Sequence, residues 1–187
     1  LKPSLKIVIL DFIRENLLHA KILLGEKINK TIFLVHGDGK NLKFKDKTFD
    51  GYWSVQTTQH IPNLIEVYKE AFRVLKTQGV FSDYSYNNSF VVKFIYNLFN
   101  KEYIIEGNVN NKFFLRRASR LNSNILNSIF KCNISERYSE VLFSPELKLP
   151  IGSKDGSFMG KVDSLLSSSN FILKFLARQH SFHIFKR

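Results

Sequence analysis

The sequence predicts an α/β fold built around a mostly parallel sheet, and three observations carry this. The runs "LKIVILD" and "TIFLVHGD" are continuous and aliphatic, as strands buried on both faces are. Amphipathic helical stretches alternate with the strands, and the connections between them are short.

The first strand covers Leu5 to Asp11 and ends in an acid. "RENLLHAKILLGEK" follows as a helix, with Leu17, Leu18, Ile22 and Leu23 at helical spacing and Gly25 near its end. Thr31 to Asp38 form a second strand and Phe49 to Val55 a third. Asn63 to Lys76 read as an amphipathic helix with Leu64, Val67, Ala71, Val74 and Leu75 on one face. A "TQG" loop leads into a fourth strand, Val80 to Tyr86. Beyond it the pattern loosens. Ser89 to Lys101 predict an apolar helix, Phe113 to Lys131 a basic helix, and Tyr138 to Pro145 a strand. Pro150 to Ser157 form a turn-rich loop, Gly160 to Gln179 a helix interrupted at its serines, and "HSFHIFKR" a terminal strand.

A chain of 187 residues, 44% hydrophobic and 24% charged, suits one globular domain. No apolar run approaches the roughly 20 residues that span a bilayer. The longest, Phe90 to Phe99, carries Lys93 inside it, and no signal segment opens the chain. Cys132 is the single cysteine, which excludes an internal disulfide and makes a reducing, cytoplasmic setting the expectation. The net charge of +12 has two readings. It either draws an anionic partner (nucleic acid, anionic lipid or a phosphorylated substrate) or reflects an AT-rich genome, since the lysines are scattered. The chain opens at Leu1 and enters a strand almost at once, so it reads as a piece of a longer protein.

Ligands of open α/β sheets bind beyond the carboxyl ends of the strands, so Asp11, Asp38 and Ser54 to Gln56 are expected to face one crevice. Asp11 either accepts hydrogen bonds from a ribose or caps the next helix, with Phe12 placed to lie against an adenine. Asp38, between Gly37 and Gly39, either reads an adenine edge or makes a tight turn. His60 is a candidate general base, or simply a polar residue at a helix entry. His180 and His183 alternate with apolar residues and read as structural. Arg116, Arg117 and Arg120 form either a solvated helix face or a contact for an anionic substrate. No histidine or cysteine spacing suggests a metal site.

In this order, the segments resemble the class I S-adenosylmethionine-dependent methyltransferases, in particular the type 11 group, from about Lys6 to Tyr86. "KIVILDFIRENLLHAK" resembles the family's second strand with its acidic residue. "FLVHGDGKNLKFKDKTFDGYWSVQTTQHIPN" is similar in order and spacing to the family's central segment. "EVYKEAFRVLKTQGVF" resembles the helix and strand that follow, with Thr77-Gln78-Gly79 in place of Pro-Gly-Gly. Leu173 to Lys186 resemble the final helix and reversed strand. The resemblance implies a Rossmann-like, mostly parallel sheet with a reversed C-terminal strand. Its first strand and glycine-rich loop should precede Lys6, where only "LKPSL" stands, so the fold is expected to be incomplete at the N-terminus.

The resemblance also implies roles. Asp11, Phe12, Asp38 and Gly39 would hold the adenosine of S-adenosylmethionine, and Ser54, Val55 and Gln59 or His60 would line its methionine and substrate side. One partial methyltransferase domain is expected: a cofactor-side core over 1–86, a substrate-side cover over 87–150, and 151–187 completing the sheet. The expected activity is methyl transfer to a small molecule, lipid or glycan precursor, weak or absent in this piece alone. The alternatives are a non-catalytic remnant and a basic RNA-binding or RNA-modifying protein.

Overall fold

The computed structural model describes residues 5–141, 158–167 and 172–187. The chain folds into two compact units, Leu1–Lys45 and Asp46–Arg187, each of mixed α and β structure.

The first unit is a βαβ arrangement: β1 (Ile7–Asp11), α1 (Arg14–Leu24), a 3-10 turn (Gly25–Lys27) and β2 (Ile32–His36). β1 and β2 pair in parallel, Ile7 opposite Ile32 and Asp11 opposite His36. Gly25 stops α1 at a φ of +50°, a backbone angle at which a side chain is strained. The apolar residues that give α1 its helical spacing are not buried, and Ile22 and Leu23 are largely exposed.

The second unit holds β3 (Phe49–Val55), a 3-10 turn (Thr58–His60), α2 (Leu64–Val74), β4 (Leu75–Tyr86), α3 (Phe90–Leu98), β5 (Glu106–Val109), β6 (Phe113–Arg116), α4 (Arg120–Phe130), β7 (Ile134–Ser139), α5 (Phe158–Leu166), α6 (Leu173–Leu176) and β8 (Gln179–Phe185). Its main sheet has the order β3-β4-β8-β7. β3 and β4 run parallel, while β8 is antiparallel to both of its neighbours. This is the mostly α/β class with a reversed C-terminal strand that the sequence predicts.

Helix α2 forms because an apolar stripe recurs every three to four residues behind an N-cap, where the Asn63 side chain accepts the Glu66 N–H. Leu64, Val67, Ala71 and Val74 are buried as predicted, joined by Tyr68. Leu64, Val67, Tyr68 and Ala71 share a core with Phe81, Phe182 and Ile184 of the sheet and Leu126 and Phe130 of α4. Each such side chain contributes about 1.5–3 kcal/mol on full burial. Lys186 closes the far end of α2, its Nζ donating to the carbonyls of Phe72 and Leu75 at 2.6 and 2.7 Å.

Four predicted elements change. The "TQG" loop lies inside β4, which runs on from α2 with Gln78 at a φ of +66° and a register shift opposite Phe49 and Gly51. The basic helix predicted over Phe113 to Lys131 begins as strand β6. Asn110 and Asn111 both take positive φ, which asparagine tolerates, and turn the chain into a β5–β6 hairpin. The strand predicted from Tyr138 starts earlier, at Ile134, and residues 142–145 lie outside the described residues, as does the 150–157 loop. The helix predicted over 160–179 is divided into α5 and α6, with residues 168–171 outside the described residues.

Candidate functional site

In the first unit, the carboxyl ends of β1 and β2 lie side by side, and the Gly37 N–H donates to the Asp11 carbonyl at 3.1 Å. Gly37 lies close to β1: a Cβ there would meet Leu10 Cδ1 at 3.2 Å, so that side chain would have to give way. This geometry brings Asp11 and Phe12 next to the turn that holds Asp38 and Gly39. Asp11 Oδ1 accepts the Ile13 N–H at 2.8 Å and Oδ2 accepts Asn16 Nδ2 at 3.1 Å. Each carboxylate oxygen therefore keeps acceptor capacity beyond its structural bond. The Phe12 ring is 70% exposed, while its carbonyl accepts the His36 Nε2–H at 3.0 Å, which fixes the loop beneath it. Asp38 Oδ1 accepts the Lys40 N–H at 2.9 Å, the turn chemistry foreseen for it, and Oδ2 faces Lys40 Nζ at 3.6 Å.

In the second unit, Ser54, Val55, Gln59 and His60 gather at the carboxyl end of β3. Val55 is exposed, and Ser54 and Gln59 are buried. The Gln59 carboxamide is engaged on both sides. Its oxygen accepts the Tyr86 N–H at 2.7 Å, and its nitrogen donates to His60 Nε2 at 3.2 Å. His60 Nδ1 donates to the Phe114 carbonyl at 2.8 Å, and Phe113 packs edge-on against its ring. That arrangement fixes the neutral tautomer and engages its one lone pair, so the geometry makes His60 a joint between the 3-10 turn and the hairpin.

Sequence reasoning missed the buried polar cluster behind this turn. Asp83, on β4, is fully buried. It accepts from the Thr58 hydroxyl at 2.8 and 2.9 Å and from the Tyr68 hydroxyl at 2.8 Å, while Asn122 Nδ2 donates to the Tyr68 oxygen at 3.3 Å. The Ser54 hydroxyl is close enough to favour the Asp83 charge but lies outside hydrogen-bonding geometry. Burial pushes the Asp83 carboxyl above the ordinary carboxylate range despite these donors. The signal was present in the sequence as an acid in the middle of "VFSDYSY", on the face that Phe81 and Ser85 share.

The three arginines separate. Arg120 is exposed at the start of α4. Arg116 donates to the Pro62 carbonyl at 2.8 Å and to Glu106 at 2.7 Å. Arg117 is buried, with Nε donating to the Ile104 carbonyl at 3.0 Å and the guanidinium 4.1 Å from the Tyr103 ring centre. Tyr96 and Tyr86 complete the surround at 5.6 and 5.8 Å. Among the described residues no carboxylate pairs with Arg117, so the aromatic faces supply its stabilisation. Strand geometry, rather than a helix face, is why these neighbours in sequence do not form one patch.

Parallel strands with an intervening helix bring an acid and an aromatic at one strand end beside a glycine-flanked acid at the next. Residues 2–82 match the family model described as a methyltransferase domain. The chain is 43% identical over 61 residues to the sterol 24-C-methyltransferase of Aspergillus fumigatus, a match covering 33% of this chain and 16% of that protein. It is 47% identical over 60 residues to squalene methyltransferase 1 of Botryococcus braunii, covering 28% of this chain and 16% of that one. The matched stretch thus spans about a sixth of each relative's length. A Thermotoga maritima structure described as an S-adenosylmethionine-dependent methyltransferase, possibly acting on histamine, superposes with a TM-score of 0.62 at 18% identity, covering 100% of this chain and 84% of that one. At that identity the likeness shows the fold.

Proposed function

We propose that this protein is an S-adenosylmethionine-dependent methyltransferase and that its acceptor is a lipid or another small apolar molecule. The observation that carries the reading is the grouping of Asp11, exposed Phe12 and the Gly37-Asp38-Gly39 turn at two adjacent strand ends. The residues present fit an adenosine group. Asp11 has acceptor capacity left for ribose hydroxyls, Phe12 offers an open ring face, and Asp38 with Gly39 presents an acid and a backbone unhindered by a side chain. The cofactor would supply a methyl group already activated on a sulfonium, so the polypeptide's task is alignment and exclusion of water. Val55 presents an exposed aliphatic side chain at the carboxyl end of β3. Ser54 and Gln59, both buried, would contribute by holding the backbone of the β3 end and the 3-10 turn. His60 would fix the hairpin against that turn rather than remove a proton.

The lipid-class acceptor draws on the relatives that act on sterols and squalene. The test is methyl transfer from isotopically labelled S-adenosylmethionine into a sterol and isoprenoid panel, read by mass spectrometry, alongside release of S-adenosylhomocysteine. Acceptor-dependent release of that product is expected. Calorimetry that detects binding of neither S-adenosylmethionine nor S-adenosylhomocysteine to the protein would overturn the assignment.

A further inference from the structure

Helix α3 is apolar on both of its faces, and only one of them is used by the fold. Its inner face holds Val92, which is buried. Ser89 caps the helix and donates from its hydroxyl to the Phe175 carbonyl at 2.7 Å, and Tyr96 packs edge-on against Tyr103 at 5.4 Å. The outer face carries Phe90, Phe94 and Leu98, spaced one helical turn apart and 69%, 60% and 67% exposed. A stripe of large apolar side chains in water costs free energy unless something covers it.

We infer that this face docks on an anionic lipid surface. Lys93 lies on the same exposed side of α3, and Lys101 follows where the chain leaves it. Neither has a carboxylate partner among the described residues. The arrangement places aromatic rings at acyl depth with lysine stems extending to the phosphate level, which is how interfacial helices seat themselves. The net charge of +12 adds long-range attraction to the same kind of surface. A protein partner would need acidic groups placed to meet both Lys93 and Lys101 beside a short hydrophobic stripe, whereas anionic headgroups supply them at any orientation. The inference stands apart from the methyltransferase reading, since it uses neither the cofactor nor the acceptor.

The experiment is co-sedimentation of the protein with vesicles of phosphatidylcholine, with and without phosphatidylserine, at low and physiological salt. Binding is expected with phosphatidylserine only and should weaken as salt rises. The variant F90S/F94S/L98S, altered only at exposed positions, should keep its circular dichroism spectrum and lose binding by roughly tenfold or more. K93Q/K101Q should weaken binding by roughly tenfold. No sedimentation with anionic vesicles at low salt would overturn the inference, as would equal binding by the triple variant. A dimer that the triple substitution dissociates, without vesicle binding, would assign the face to a second copy of the chain and would also overturn it.

Discussion

Gln59 accepts the backbone N–H of Tyr86 across 2.7 Å, so a buried side chain joins the Thr58–His60 turn to the end of β4. The same carboxamide donates to His60, whose other ring nitrogen holds the β6 strand. Replacing Gln59 by Ala leaves the Tyr86 N–H without its acceptor and releases both joints. The expected cost is about 1–3 kcal/mol of stability, measured by urea unfolding. A Gln59→Ala protein as stable as the parent would show that the turn is held elsewhere.

Asp83 ties stability to pH with a definite sign. Its folded-state pKa is raised, by burial first, so the folded state binds the proton more tightly than the unfolded chain. The contribution of Asp83 to stability is therefore complete at low pH. It declines as pH climbs from about 4, the unfolded value, toward the raised folded value. Asp83→Asn removes the titration, so stability measured relative to this variant should fall with pH across that window. A difference that stays level between acid and neutral pH would mean that folding leaves the Asp83 carboxyl unshifted.

The bend within β4 gives two opposite expectations. Gln78 occupies a φ of +66°, where glycine is unstrained, so Gln78→Gly should raise stability by up to about 1 kcal/mol. Next to it, a Cβ on Gly79 would stand 2.9 Å from the Lys76 carbonyl oxygen and 3.3 Å from that of Asp50. Both are backbone atoms, so Gly79→Ala should lower stability by about 1–3 kcal/mol. Thermal melts of the pair, moving in opposite directions, check both.

For His60, a positioning role and a proton-transfer role separate in the pH profile. His60→Gln should lower the rate of methyl transfer while leaving the pH dependence of kcat unchanged in shape. A change in the shape of that profile would instead restore His60 as a base.

Asp11→Asn distinguishes ligand from cap. The carboxamide oxygen still accepts the Ile13 N–H and only the exposed Asn16 bond is lost locally, so the melting temperature should change little, while one of the two acceptor oxygens is lost. The expected result is a Kd for S-adenosylmethionine raised about tenfold, read by calorimetry. A fall in melting temperature with unaltered affinity would leave Asp11 a structural residue.

Much of this was legible in the sequence, and the failures have physical reasons. β1, β2, β3 and α2 are written in hydrophobic period, and their positions follow from it. The β5–β6 hairpin was hidden because "FFLRR" runs into a helical pattern and its turn is made by Asn110 and Asn111 rather than glycine. The strand pattern puts Asp83 on the buried face, but its donors could not be read there, since Thr58 and Tyr68 lie far from it in the chain. Asp11 and Asp38 illustrate a different limit: the side chains that suit a ligand also make local hydrogen bonds, so local geometry accommodates both readings.

Strand β8 sits between β4 and β7, and its bond from Ser82 to His183 spans 101 residues of sequence. β7 pairs with no strand but β8 among the described residues. Closing the sheet must therefore wait on an encounter between distant parts of the polypeptide, which slows folding relative to a sheet of neighbouring hairpins. Until then β4 and β7 each present an open row of backbone groups to whatever chain is nearby. During synthesis this protein is consequently most exposed to misassembly with other nascent chains while β8 is still to come, and a holdase that shields β4 is the kind of help its topology calls for.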